Sequence, residues 1–274
     1  METSSTFGAS KPIVGMVHLP PLPGAPRYDP EAGREDLRES ARRDAERLAA
    51  GGVDAVMVEN FGDAPFYPDD VPKHVVASMT KATAAVADEV DLPVGVNILR
   101  NDAMADLAVA QATGADFIRV NIHTGARVAD QGIIEGKAYE TMRERDRLGA
   151  DVKVFADHDV KHSAAIAADD FTAESFADNV ERGMADATVV SGMGTGHAVD
   201  RDDLQRASDR REEFGLDVPL FVGSGVTPET VGDILDIADG VIVGTSLKGG
   251  DSSGDPVSVD ATRELVAAAD EVRE

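Results

Sequence analysis

Short runs of β-branched and other apolar residues alternate along the chain with longer stretches whose apolar positions recur at helical spacing. Eight runs are predicted as strands: Ile13–His18, Ala55–Glu59, Val94–Ile98, Phe117–Ile122, Val152–Asp157, Thr188–Ser191, Leu220–Gly223 and Gly240–Gly244. Helices are predicted near Gly33–Ala50, Lys73–Val90, Asp102–Thr113, Gly136–Leu148, Thr172–Met184, Arg201–Phe214, Pro228–Ile237 and Val259–Val272. Such regular alternation is the pattern of βα units on a parallel sheet. An open doubly wound sheet would alternate in the same way, but eight units with a closing helix favour a single (β/α)8 TIM barrel. No Gly/Ser linker or compositional break divides the chain, so residues 1–274 are expected to form one domain, with a flexible lead-in over 1–10.

Local signals agree with this plan. Gly51-Gly52, Gly114 and Gly149 follow helical runs, where glycine accepts a left-handed C-terminal turn. Thr227-Pro228-Glu229 offers a hydroxyl cap ahead of a proline in a first helical turn.

Strand parity then singles out polar residues. In a barrel one parity points inward and the other packs on the helices, and sites of this fold lie at the C-terminal ends of the strands. The fourth strand, Phe117-Ile118-Arg119-Val120-Asn121-Ile122-His123, places Arg119, Asn121 and His123 on one face, expected to be interior. Glu59, Asn97 and Asp157 end or nearly end their strands, and His18 ends the first. Polar groups gathered at one mouth are costly unless paired or bound to a ligand. Arg119 can satisfy that demand as a buried ion pair with Glu59 or Asp157, or by contacting substrate. For Asp157-His158-Asp159-Val160-Lys161-His162 three chemistries compete. They are a divalent metal site, a Schiff base on Lys161, and general acid/base transfer by Asp157 with His162 or Glu59, which is favoured.

Glycine-rich turns follow the last three strands. They are Ser191-Gly192-Met193-Gly194-Thr195-Gly196-His197, Gly223-Ser224-Gly225-Val226-Thr227 and Gly244-Thr245-Ser246. Exposed backbone N–H groups, hydroxyls and helix N-termini together make an anion nest, and the turns after strands seven and eight are the recurrent phosphate site of such barrels. Gly192, Gly194, Gly223, Ser224, Gly225, Gly244, Thr245 and Ser246 are therefore the candidate phosphate residues. The first of these turns lacks the spacing of a dinucleotide fingerprint, and no Walker A sequence is present.

Composition narrows the chemistry further. With no cysteine, disulfides, thiolate nucleophiles and cysteine metal sites are excluded. No cofactor is called for, and a divalent metal is the minor alternative. The chain carries 51 acidic against 26 basic residues, and only seven of the latter are lysines. Its field opposes nucleic acid and anionic lipid. Because the acids are spread along every predicted helix, they read as a surface hydrated in concentrated salt rather than a patch for a basic partner. The Debye length there falls to about 3 Å at 1 M, so self-repulsion is screened. No apolar run is long enough to cross a bilayer and the N-terminus lacks signal-peptide regions, so a cytoplasmic location is expected.

The segment Lys11-Pro12-Ile13-Val14-Gly15-Met16-Val17-His18-Leu19-Pro20-Pro21-Leu22-Pro23-Gly24 resembles the BtpA/SgcQ family. The resemblance continues at Val58-Glu59-Asn60-Phe61-Gly62-Asp63-Ala64-Pro65-Phe66, Gly95-Val96-Asn97-Ile98-Leu99-Arg100-Asn101-Asp102, Phe117–Asn121 and Asp159-Val160-Lys161-His162, covering almost the whole chain. It implies a barrel of the ribulose-phosphate-binding type, while the acidic composition points to a halophilic archaeon as the source. It also points to His18, Glu59, Asn60, Asn97, Arg100, Asn121, Lys161, His162 and the glycine turns as family positions. The family name is tied to photosystem I biogenesis, while other members look like proteins of sugar or nucleoside metabolism.

The expected function is an enzyme acting on a small phosphorylated sugar or nucleoside-derived substrate, of isomerase, lyase or nucleosidase type. Glu59, Asp157, Lys161, His162 and His18 are its candidate catalytic groups, and Asn60, Asn97, Arg100, Arg119 and Asn121 its candidate substrate contacts. The alternative is a non-catalytic assembly factor for a membrane complex. A homo-oligomer remains open.

Overall fold

The computed structural model describes residues 2–31, 33–160, 162–166, 176–192 and 199–273, without the side chain of Arg34. Strands β1 (Ile13–His18), β2 (Ala55–Glu59), β3 (Val94–Asn97) and β4 (Phe117–Val120) are followed by a short antiparallel pair, β5 (Ala126–Ala129) and β6 (Gly132–Glu135). Then come β7 (Lys153–His158), β8 (Ser163–Ala165), β9 (Ala187–Val190), β10 (Leu220–Val222) and β11 (Gly240–Val243). Eight of them close in the order β1-β11-β10-β9-β7-β4-β3-β2, and the recorded pairs are all parallel. The chain folds as a (β/α)8 TIM barrel.

The helices are α1 (Thr3–Phe7), α2 (Gly33–Gly51), α3 (Lys73–Ala87), α4 (Ala103–Thr113), α5 (Ala138–Leu148), α6 (176–181), α7 (Arg201–Glu213), α8 (Val231–Leu235) and α9 (Val259–Asp270). Gly114 and Gly149 end α4 and α5 in the left-handed conformation, as their positions suggested. The start of α8 differs from expectation. The Thr227 carbonyl, rather than its hydroxyl, accepts from the N–H groups of Thr230 and Val231, and the helix proper begins only at Val231. Of the helix predicted at 172–184, the first four residues lie outside the described ones. No described helix is long and apolar enough to cross a membrane.

Parity divides the core in two. Val14, Met16, Met57, Phe117, Phe155, Val189, Phe221 and Ile242 pack together inside the barrel. The alternate residues, such as Ile13, Val56, Val96, Ile118, Val154 and Val241, pack against the helices. Residues 3–7 of the lead-in, expected to be flexible, form α1 instead. Phe7 is buried there with its ring edge-on to Phe117, Phe155 and Phe221, at centroid distances of 5.5, 6.1 and 6.1 Å. It plugs the barrel end opposite the mouth.

The sheet β6-β5-β8 has no counterpart among the strands predicted from sequence. Its strands have only three or four residues, too few for a period-two signal, and it forms because Ile134 is buried against Ile122 and Val160.

Buried carboxylates pin the loops above the strands by accepting backbone N–H groups. Asp63 takes Leu22 N at 2.7 Å, Asp102 takes Val71 N at 2.7 Å and Ala105 N at 2.9 Å, and Asp106 takes Ile98 N at 2.7 Å. Burial, reinforced by Asp102 and Glu59 and opposed by the Ile98 N–H, raises the Asp106 carboxyl well above its usual range.

Replacing Phe7 by Ala is expected to destabilise the fold by about 3 kcal/mol, read from urea unfolding; an unchanged midpoint would show that the plug is dispensable. Asp106 holds its proton more tightly folded than unfolded. Its contribution to stability is therefore full at acid pH and is lost as pH rises from the unfolded value through the folded one. Asp106→Asn keeps the neutral form, so its melting temperature relative to wild type should be higher at about pH 8 than at about pH 4. A pH-independent difference would refute the shift.

Candidate active site at the barrel mouth

Inward parity brings His18, Glu59, Asn97, Arg119 and Asp157 to the C-terminal ends of β1, β2, β3, β4 and β7, with Asn121 just beyond β4. His18 pairs in register with Glu59, and Glu59 with Asn97. Arg119 and Asp157 form a buried two-pronged ion pair, Nε to Oδ1 at 2.8 Å and Nη2 to Oδ2 at 2.9 Å. Asn121 Nδ2 donates to Asp157 Oδ2 at 3.1 Å. Asn97 Nδ2 donates to the Arg119 carbonyl at 2.7 Å and to Asn121 Oδ1 at 3.3 Å. Burial opposes the charge on Arg119, but Asp157, with Glu59 farther off, holds its guanidinium above the ordinary range. Of the two roles open to Arg119, the ion pair is the one formed. Both oxygens of Asp157 are engaged, so in this structure it is the counter-ion of Arg119 and an anchor for Asn121.

His18 and Glu59 form a second pair at the mouth. The His18 ring stacks on Phe61 with centroids 4.5 Å apart at 27°. Its Nδ1 lies 2.9 Å from the Ser253 carbonyl, and its Nε2 3.6 Å from Glu59 Oε2. A carbonyl oxygen can only accept, so Nδ1 carries a hydrogen and Nε2 is the nitrogen turned toward the carboxylate. A lone pair facing a carboxylate is repulsive, whereas a proton on either partner makes the contact attractive.

A cavity of about 320 Å³ opens beside this pair. Gly223, Ser224, Gly225, Gly244, Thr245 and Ser246, all candidate phosphate residues, line it together with His18, Glu59 and Arg119. The hydroxyls mostly tie the turns to one another. Ser224 Oγ accepts from Gly192 N at 2.8 Å, Ser246 Oγ donates to the Val226 carbonyl, and Thr245 Oγ1 lies 2.8 Å from Ser253 Oγ. Among the described residues, the N–H groups of Gly225 and Val226 have no hydrogen-bond partner, and Gly225 has the positive φ of 69° that lets successive N–H groups converge in a nest. Two glycines are required by close approach. A Cβ on Gly223 would sit 2.8 Å from Arg119 Nη2, and one on Gly244 2.8 Å from His18 Cε1.

Other expected site residues are not at this cavity. Gly192 uses its N–H on Ser224, and Gly194 and Lys161 lie outside the described residues. His162 is exposed at a positive φ of 59° and does not line it. Asn60 is a loop fastener, accepting from Leu99 N at 2.7 Å and donating to Asp63 at 3.2 Å. Arg100 is buried nearby, where burial lowers its guanidinium against the pull of Asp157 and Glu59. Asn97 and Asn121 support Arg119 and Asp157 without lining the cavity. His123 breaks the parity expected for the fourth strand, because β4 ends at Val120. Its Nε2 donates to the Gly183 carbonyl at 2.8 Å, beside a groove of about 1190 Å³ that includes residues of α5. Asp159 turns out to Arg127 at 2.6 Å. No described group of three His, Asp or Glu is placed to hold a metal.

Sequence reading missed Phe61, Lys248, Asp251 and Ser253, of which the first three line the cavity and the last fixes His18. Only Lys248 left a signal, as one of seven lysines in an acidic chain and placed just after the last strand.

The sequence model of the BtpA family matches residues 9–271. An uncharacterized protein of Thermococcus kodakarensis is 47% identical, over 96% of this chain and 97% of its own. The photosystem I biogenesis protein BtpA of Synechocystis is 40% identical, over 97% and 92%. Among solved structures, thiamine phosphate pyrophosphorylase from Pyrococcus furiosus superposes with a TM-score of 0.57 at 15% identity, covering 96% of each chain. The N-(5'-phosphoribosyl)anthranilate isomerase of the same organism gives 0.56 at 13%, covering 96% of this chain and 100% of the other. At such identities these two matches speak to the fold alone.

Asp157→Asn leaves the buried Arg119 without its charge partner and should cost about 3 kcal/mol in urea unfolding, while the double change Arg119→Met, Asp157→Leu should recover much of it. Full stability of the single variant would show that the ion pair does not hold the mouth.

Proposed function

The chain belongs to the BtpA family, and on that premise we propose that it is an enzyme acting on a small phosphorylated sugar or nucleoside-derived substrate by general acid/base chemistry. The observation that carries this reading is the sharing of one cavity. The turns after β10 and β11, with their N–H groups, form one wall, and the His18–Glu59 pair forms another. A phosphate on the first wall would place the sugar against the second, where one partner can take a proton and return it. A cavity of about 320 Å³ is at the small end of ligand sites, which suits a monophosphate ester better than a dinucleotide.

Isomerisation, carbon–carbon cleavage and N-glycosidic cleavage all fit such a pair. An oxocarbenium-type transition state would use Glu59 as the stabilising carboxylate. A lyase working through a Schiff base would draw on Lys161, and borohydride trapping would reveal that adduct. A second reading, an assembly role, is favoured by one observation, the name of the Synechocystis relative. It expects biological activity to survive loss of Glu59. The acidic surface supports a salt-rich cytoplasm as the working medium, a habitat that the relatives' names do not themselves indicate.

The test is a thermal-shift screen of sugar phosphates and nucleotides in molar KCl, followed by turnover with each ligand that stabilises the protein. Phosphorylated ligands should raise the melting temperature, and Glu59→Gln should lower kcat by at least about 100-fold with ligand affinity changed only a few-fold. Stabilisation by dephosphorylated analogues alone would remove the phosphate site. Full turnover by Glu59→Gln would remove the acid/base pair.

A further inference from the structure

Of the seven large apolar side chains exposed among the described residues, five lie between β5 and the turn after α6: Val128, Ile133, Tyr139, Ile166 and Met184. Exposed apolar groups scattered singly need no explanation, but five gathered in one sector of a chain with a net charge of −25 do. Val128 and Ile133 are a cross-strand pair on the face of the β5–β6 hairpin opposite the buried Ile134. Tyr139 and Met184 line the groove of about 1190 Å³ that runs from the base of this hairpin between α5 and α6. Acids outnumber bases 51 to 26 in the chain, yet in the groove the two signs are matched. Arg145 pairs with Asp186 and Lys153 with Asp151, each at 2.6 Å, and Arg182 with Asp178 at 3.8 Å. Two charges are left over, Arg143 and Asp146, both exposed on α5 and neither in an ion pair with a described residue. Arg143 donates only to the Tyr139 carbonyl of its own helix, at 2.7 Å.

We propose that this flank of the barrel is where a second copy of the chain docks, with α5 of each copy lying antiparallel across α5 of the other. Tyr139, Arg143, Asp146 and Ala150 follow one another at intervals of four, three and four residues, so they form one stripe. The stripe is complementary to itself. In a two-fold contact residue i meets j while j meets i, and an axis passing between positions 144 and 145 brings Arg143 of each copy to Asp146 of the other. The same axis lays each Tyr139 ring over Ala150 of the other copy, which lines the groove. Two unpaired charges thus become two reciprocal ion pairs. The rest of a second copy's surface is acidic on balance and repels, so the charge-matched flank is the face on which two such chains can approach. With eleven residues α5 is about 16 Å long, and the helices alone fall short of the roughly 800 Å² per partner of a standard interface. Met184, on the opposite wall of the groove, and the hairpin at its end extend the contact. Because β4 and β7 stand across the ring from β1 and β11, docking here is independent of any ligand in the mouth cavity.

Analytical ultracentrifugation of the full chain in molar KCl reads the mass directly. At about 100 µM the wild type should be dimeric and should dissociate on dilution, as a contact of modest area does. Arg143→Glu gives the stripe two acids and Asp146→Arg gives it two bases. Either change alone should weaken association by at least about tenfold, because like charges then face each other at the contact, where salt screens them less than on an open surface. Tyr139→Glu should weaken it similarly. All three positions are exposed, so each variant should keep the wild-type melting temperature. Mixed in equal amounts, the Arg143→Glu and Asp146→Arg chains should dimerise with each other, each supplying the charge the other lacks. A wild type that stays monomeric, or a dimer that these substitutions leave unchanged, would overturn the proposal. So would a mixture that stays monomeric, since an antiparallel contact of α5 with α5 must restore opposite charges in that pairing.

Discussion

The mouth of this barrel is organised by one buried ion pair. Arg119 and Asp157 sit on adjacent strands and point inward, where water cannot solvate them, so each must find its partner or the fold loses several kcal/mol. Their two-pronged contact ties together the C-terminal ends of the adjacent strands β4 and β7. Asn97 and Asn121 exist in this frame as braces, spending their amides on the Arg119 carbonyl and on Asp157. Even the glycine at 223 follows from it, since a side chain there would collide with the guanidinium.

With the centre locked, the cavity lies in the sector between β1, β2, β10 and β11. Three separate turns are fastened there by their hydroxyls: Ser224 to Gly192, Ser246 to Val226 and Thr245 to Ser253. These fastenings hold the three turns in a fixed relation to one another. Ser253 joins two walls of the cavity. Its hydroxyl touches the turn after β11 and its carbonyl sets the tautomer of His18.

The acidic exterior and the mixed-charge interior answer to different solvents. Outside, carboxylates face solvent. Inside, Asp63, Asp102 and Asp106 face backbone N–H groups and serve as loop anchors, at the cost of a raised carboxyl at Asp106. The same residue type is a hydration device in one place and a structural acceptor in the other.

The sequence by itself determined the barrel and most of its inward polar set. Strand parity is a local property, visible in Phe117-Ile118-Arg119-Val120 without any partner, and the order of eight βα units dictates which turns end beside one another. The residues Gly223–Gly225 and Gly244–Ser246 were legible as one site for that reason. Only the tertiary structure decided what each polar group does. Asp157, expected as a base, has both oxygens on Arg119, and His123, expected to face inward, lies three residues beyond the end of β4. Phe7 and Lys248 gained their places through partners more than a hundred residues away in the chain, Phe117 and Asp44, and Phe61 and Ser253 through His18, 43 and 235 residues away. Contacts at that separation leave no periodic trace, because only the closed barrel brings those positions together.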